Sequence, residues 1–324
     1  MQKTQSPIKL RYYAEYYLTR LLRGLLFILP IDVASFVMGK MWRLIGPLNS
    51  RHKRVLRHME WALGGETNHE DRKTFAREMW ENLGRTFAEG LISDRLIHDP
   101  HRFSVDPAVF ADWADDCRNG SLLVTHHFGN WELSSLPTVI FSDHKVMGIY
   151  RRVKNPLVER FFLAKRSHLF PGGLYSQSGG AARQAVMRVK SGTDMAMVAD
   201  LRDNRGVTVN LFGMPATMSG FPATLAIKFK KPVFVAQLRR LSGAHFKLDI
   251  RRIDAPDTGD FDADCTQLTQ LIFNQFEAWI RTDPAQWMWA PYRWSARRDE
   301  ESKPLSWAEH QATLYNAPHV DLDN

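Results

Sequence analysis

The stretch SLLVTHHFGNWEL, residues 121–133, changes character half-way along. Residues 121–125 form a short apolar run, which reads as a buried strand. Gly129 permits a sharp turn. Asn130 suits a helix N-cap, and Glu132 falls in the first turn, where a carboxylate complements the helix dipole. Strand, turn and helix in that order is the unit from which α/β sheets are built. Reactive groups in such sheets gather outside the carboxyl ends of the strands. His126 and His127 stand at such an end.

The alternation continues downstream. Further strands are expected at 145–150, 194–199, 207–212, 232–238 and 245–251. Helices are expected at 130–141, 156–168, 180–190, 220–229 and 264–281. In the last of these Leu268, Ile272, Phe276 and Ile280 repeat at four-residue steps, a buried helical stripe. Upstream, Asn68 to Asp71 reads as a helix start, and Phe75, Met79, Leu83 and Phe87 give a second stripe. The chain shows neither internal repeats nor low-complexity tracts. The fold class is α/β, with helices on the faces of the sheet.

With 324 residues, 44% hydrophobic and 24% charged, the chain can bury a sizeable core. Its two cysteines, Cys117 and Cys265, lie too far apart in sequence to suggest a disulfide framework or a zinc ribbon, so a reducing compartment is the default. A formal charge of +8 suits nucleic acid, anionic lipid or an acidic protein without choosing among them. Segment 12–46 is rich in aliphatic and aromatic residues, but Arg20, Arg23, Asp32 and Lys40 interrupt it, and no signal-peptide cleavage site follows. It reads either as a buried helical hairpin bent at Pro30 or as an interfacial helix pair. The basic run RHKRVLRH, residues 51–58, reads as a solvated helix face that could also touch anionic headgroups. Three parts are expected: an N-terminal hydrophobic and basic segment (1–60), an α/β domain (61–298) and a polar tail (299–324).

His126, His127 and Glu132 admit several chemistries. A histidine paired with a carboxylate can deprotonate a hydroxyl, the carboxylate fixing the imidazole tautomer. There is no G-x-S-x-G elbow, and Ser134 and Ser135 fall inside the expected helix, which disfavours a triad hydrolase. A metal site is disfavoured because adjacent ligands point apart on an extended chain and no H-E-x-x-H accompanies them. Ordinary turn and helix-start roles remain open.

The stretch His127-Phe128-Gly129-Asn130-Trp131-Glu132 resembles the H-x-x-x-x-[DE] motif of glycerolipid-type acyltransferases. In this form it is most similar to the bacterial lipid A biosynthesis acyltransferases. The blocks ENLGRTFAE (81–89), YRRVKNPL (150–157), GGAAR (179–183), VAD (198–200), FGMPAT (212–217) and PAQWMW (284–289) follow in the family's order. The resemblance covers most of the chain, from about residue 10 to 295. One departure is at residues 290–294, which read APYRW where the family tends to carry a basic HRRW block.

The resemblance implies a mixed sheet flanked by helices and a hydrophobic N-terminal membrane element, and it favours the interfacial reading of 12–46. It implies a location at the cytoplasmic face of the inner membrane. The implied donor is a fatty-acyl thioester on acyl carrier protein, and the acceptor a hydroxyl of a lipid A precursor. The partners would thus be acyl carrier protein and anionic lipid rather than nucleic acid, with neither metal nor cofactor. Carried over, His127 is the general base and Glu132 its orienting carboxylate, with His126 a bystander. Arg151 is the candidate for the oxyanion or a substrate phosphate. Asn130, Asp200 and Arg202 complete the substrate-binding candidates, Asp200 as a partner for Arg151 or Arg202. The backbone N–H groups behind Gly220 could hold a phosphate. Rival readings are an O-acyltransferase for a lysophospholipid, aminolipid or glycolipid, a metal-dependent hydrolase, and a membrane-surface binding protein.

Overall fold

The computed structural model describes residues 9–177 and 179–294; the expected polar tail, 299–324, lies outside the described residues. The chain opens with helices α1 (Leu10–Ile28), α2 (Ile31–Ile45), α3 (His52–Leu63), α4 (His69–Leu91) and the single turn α5 (Ser93–Leu96). Strand β1 (Phe103–Val105) and helix α6 (Pro107–Asp116) lead to the central strand β2 (Leu122–Gly129). There follow α7 (Leu136–Phe141), β3 (Met147–Tyr150), α8 (Pro156–Arg166), β4 (Leu174–Ser176), α9 (Gly179–Lys190) and β5 (Met195–Val198). A hairpin, β6 (Arg202–Leu211) and β7 (Met214–Met218), precedes α10 (Phe221–Phe229), β8 (Val233–Ser242), β9 (His245–Ile253) and α11 (Phe261–Thr282).

The main sheet has seven strands in the order β1-β9-β8-β2-β5-β3-β4. Strand β2 runs parallel to both neighbours, β5 and β8, while β8 and β9 pair antiparallel, so the sheet is mixed. Helices cover both faces, and the period-2 alternation of the strands sorts two cores between them. Leu122, Val124, Met195, Met197, Val233 and Val235 join one buried cluster with α11. Leu123, Ala196, Phe234 and Ala236 join the other, with Leu91 of α4 and Trp113 of α6. All four residues of the expected α11 stripe are buried, at roughly 1.5–3 kcal/mol each.

The α4 start is a capping box: Asn68 Oδ1 accepts from the Asp71 N–H at 2.9 Å, and Asp71 Oδ2 from the Asn68 N–H at 3.1 Å. Of the expected stripe, Met79 is buried and Phe75 and Leu83 pack against the core, but the buried face is wider than the stripe. Phe87 is exposed, whereas Glu81, Asn82, Thr86 and Glu89 are buried.

The N-terminal membrane element is corrected. No helix of the described residues is long and apolar enough to cross a membrane, and the expected inner-membrane location falls with that finding. Pro30 does separate two helices, but both are tied to the α/β body. Helix α2 lies along α4, with Lys40 and Arg43 on Glu81 at 3.0 and 3.2 Å and Ser35 Oγ donating to Glu89 at 2.6 Å. In α1, Arg23 pairs with Asp94 at 2.5 Å.

Candidate active site

The parallel strands β2, β5 and β3 end side by side, and their carboxyl ends form one rim. His127 stands near the end of β2 and Asp200 two residues beyond β5. His127 Nδ1 lies 2.5 Å from Asp200 Oδ1. A carboxylate only accepts, so Nδ1 carries a proton, and in the neutral imidazole Nε2 keeps a lone pair. Asp200 is buried and held on its other oxygen by Trp287 Nε1 at 2.8 Å and Arg293 at 2.7 Å. Burial alone would push the Asp200 carboxyl up. The charges of His127 and Arg293 outweigh it and hold Asp200 well below the usual carboxylate range. The Trp131 ring lies 5.2 Å from the imidazole.

The backbone behind His127 is fixed from three sides. Gly129 takes φ +55°, and a Cβ there would meet Leu238 O at 2.0 Å, so only glycine fits. Its carbonyl accepts from Asn82 Nδ2 at 2.9 Å and Thr86 Oγ1 at 3.0 Å, both on α4. The His127 carbonyl accepts from the Met288 N–H at 2.9 Å. Glu89, wholly buried, takes a two-pronged grip from Arg240 at 2.6 and 2.8 Å and also accepts from Asn130 Nδ2 at 2.6 Å.

His126 faces the other side of the sheet. It is wholly buried and stacked on Phe276 at 4.3 Å with the rings nearly parallel, and neither ring nitrogen has a hydrogen-bond partner among the described residues. Burial pushes its pKa down to about 3. The two histidines therefore do not converge on one ligand.

The other expected site residues are placed as follows. Asn130 does not cap a helix with its side chain: the chain makes a 3-10 turn, Trp131–Leu133, before α7 begins, and the amide turns to Glu89 instead. Glu132 on that turn does not contact His127. Both its oxygens accept from Arg166 of α8, at 2.8 and 2.6 Å. Arg151 is exposed just beyond β3, on the same rim as His127 and two strand spacings away, on the order of 10 Å. Arg202 is exposed at the start of β6. Neither arginine reaches Asp200; Arg293 takes that place. Gly220 precedes α10, but Pro222 in its first turn offers no N–H. Sequence reading missed the roles of Arg293, Trp287, Arg166, Glu89 and Arg240. The first two lie in or beside the PAQWMW and APYRW segments, which were legible as blocks but not as ligands of Asp200.

The model of the bacterial lipid A biosynthesis acyltransferase family matches residues 1–296. The chain belongs to that family. It is also similar to the phosphatidylinositol mannoside acyltransferase of Mycolicibacterium smegmatis, at 25% identity over 191 residues. That match covers 58% of this chain and 61% of the relative, so the chain spans about three fifths of that protein's length.

Proposed function

We propose that this protein is an acyltransferase that moves a fatty acyl group from acyl carrier protein to a hydroxyl of a lipid A precursor. The observation that carries the reading is the His127–Asp200 contact at a rim of parallel strand ends in a chain of this family. Asp200 holds Nδ1–H and leaves Nε2 free to take the acceptor proton, which contributes on the order of 10²–10⁴-fold. The acceptor oxygen attacks the thioester carbonyl, the C–S bond breaks, and His127 returns the proton to the departing thiolate. Arg151, on the same rim, is the cation for the developing oxyanion or for an acceptor phosphate. In this reading Asp200, not Glu132, orients the imidazole, and Glu132 fixes Arg166. The mycobacterial relative, a phosphatidylinositol mannoside acyltransferase, favours a second reading, transfer to another glycolipid. Mass spectrometry of total lipid from cells lacking the protein separates them. Loss of one acyl chain from lipid A supports the first; an unchanged lipid A with a different glycolipid under-acylated supports the second. An unaltered lipid profile overturns both.

A further inference from the structure

A cavity of about 250 Å³, lined by neither His127 nor Asp200, lies between α3 and residues 292–294. At ~30 Å³ per water it has room for a small organic molecule. Its cations are Lys53, Arg54 and Arg57, and it has no acidic lining residue. Among the described residues none of the three is in an ion pair. Like charges gathered without counter-charge repel one another, and an anion between them relieves that cost. Arg54 is already set: its guanidinium lies 3.7 Å above the Tyr292 ring, which orients the planar fork, and its Nε is buried without a partner among the described residues.

The remaining walls are aromatic. Trp61 and Trp294 line the cavity, with His58 buried between them, 5.8 and 5.2 Å from their ring centroids. His58 Nδ1 meets the Trp289 carbonyl at 3.0 Å, and a carbonyl only accepts, so this nitrogen carries the proton. Burial pushes the imidazole down to about 3, so it is neutral and Nε2 is an acceptor. An acceptor beside apolar rings suits a hydroxyl-bearing ring, and the cations suit phosphate. We propose that this cavity is a binding site for a phosphate monoester of a sugar or polyol, separate from the His127 rim. Its wall is also the clamp of Asp200: Tyr292 and Trp294 flank Arg293, whose guanidinium holds that carboxylate.

Calorimetric titration of the full chain tests this with inorganic phosphate, glucose 1-phosphate and glucose. Saturable binding is expected for both phosphates, tighter for the sugar phosphate, and none for glucose. Lys53→Gln/Arg54→Gln should weaken phosphate binding about tenfold or more, the scale of losing charge-assisted hydrogen bonds. Arg57→Gln, which leaves the Arg54–Tyr292 stack intact, should weaken it as well. His127→Ala should bind as wild type while losing transfer, which separates this site from the acyl-transfer reading. Dihexanoyl phosphatidic acid distinguishes the source: binding tighter than that of glucose 1-phosphate assigns a lipid-borne phosphate, and weaker binding a soluble one. The proposal fails if neither phosphate gives saturable heat, or if folded Lys53→Gln/Arg54→Gln and Arg57→Gln variants bind phosphate as wild type does.

Discussion

His127 and Asp200 are 73 residues apart in the chain and 2.5 Å apart in space. That separation is why the histidine stood out in the sequence and the carboxylate against it did not. Glu132 sits at the motif spacing, but the 3-10 turn carries it to Arg166, and the carboxylate against the imidazole comes from the next strand. Asp200→Asn lets an amide donate to Nδ1, which moves the ring proton to Nε2 and removes the base. We expect kcat to fall about 10²–10⁴-fold with little change in KM, and Glu132→Gln to cost less than tenfold. Steady-state kinetics of the pair decides it; a larger loss in Glu132→Gln would restore the motif glutamate to the orienting role. His126 gives a different test. Burial holds its folded pKa at about 3, below the usual histidine value of 6.5, so unfolding takes up a proton at mildly acid pH. Its contribution is fully present above pH 6.5 and is lost as pH falls toward about 3. His126→Phe keeps a ring in the stack on Phe276 and removes two unpartnered nitrogens. The variant should gain about 2 kcal/mol relative to wild type between pH 7.5 and pH 5. Urea unfolding at the two pH values checks it, and parallel pH profiles for the two proteins would refute it.

Helix α4 shows what apolar periodicity reveals and what it hides. Its start was legible because a capping box is local chemistry, and α11 was legible because its buried face carries an apolar residue at every fourth position from Leu268 to Ile280. The stripe assigned to α4 missed part of the inward face because that part carries polar residues, which a hydrophobic pattern counts as exposed. Glu89, Asn82 and Thr86 face inward because the turn after His127 leaves a carbonyl and an amide to be satisfied. The buried Glu89–Arg240 pair therefore belongs to the positioning of His127 as well as to folding. Glu89→Ala leaves Arg240 buried without its counter-charge and should cost about 3–5 kcal/mol. Chemical denaturation measures that loss, and a cost under 1 kcal/mol would show that the pair does not hold the corner. Gly129→Ala should be equally damaging, since its Cβ would meet backbone that has no room to give.

At the scale of the molecule, hydropathy along 12–46 left a buried hairpin and an interfacial pair both open because it records side chains without their partners, and the membrane element came from the family resemblance. The charges that interrupt the segment, Arg23 and Lys40 among them, meet acidic residues of the α/β body, Asp94 and Glu81. Ion pairs across such sequence distance are invisible to any window. Net charge, by contrast, was legible at once and bears on the donor. A chain of formal charge +8 attracts an acidic carrier protein from beyond contact range, an effect that salt screens within a Debye length of about 10 Å at 0.1 M. If acyl carrier protein is the donor, kcat/KM should fall about tenfold or more between 20 and 500 mM salt while kcat holds, because steering acts on encounter. Transfer from a neutral acyl-pantetheine thioester should show almost no salt dependence. Measuring both donors over one salt series separates recognition of the carrier from recognition of the thioester, and equal slopes would remove the carrier protein from the proposed reaction.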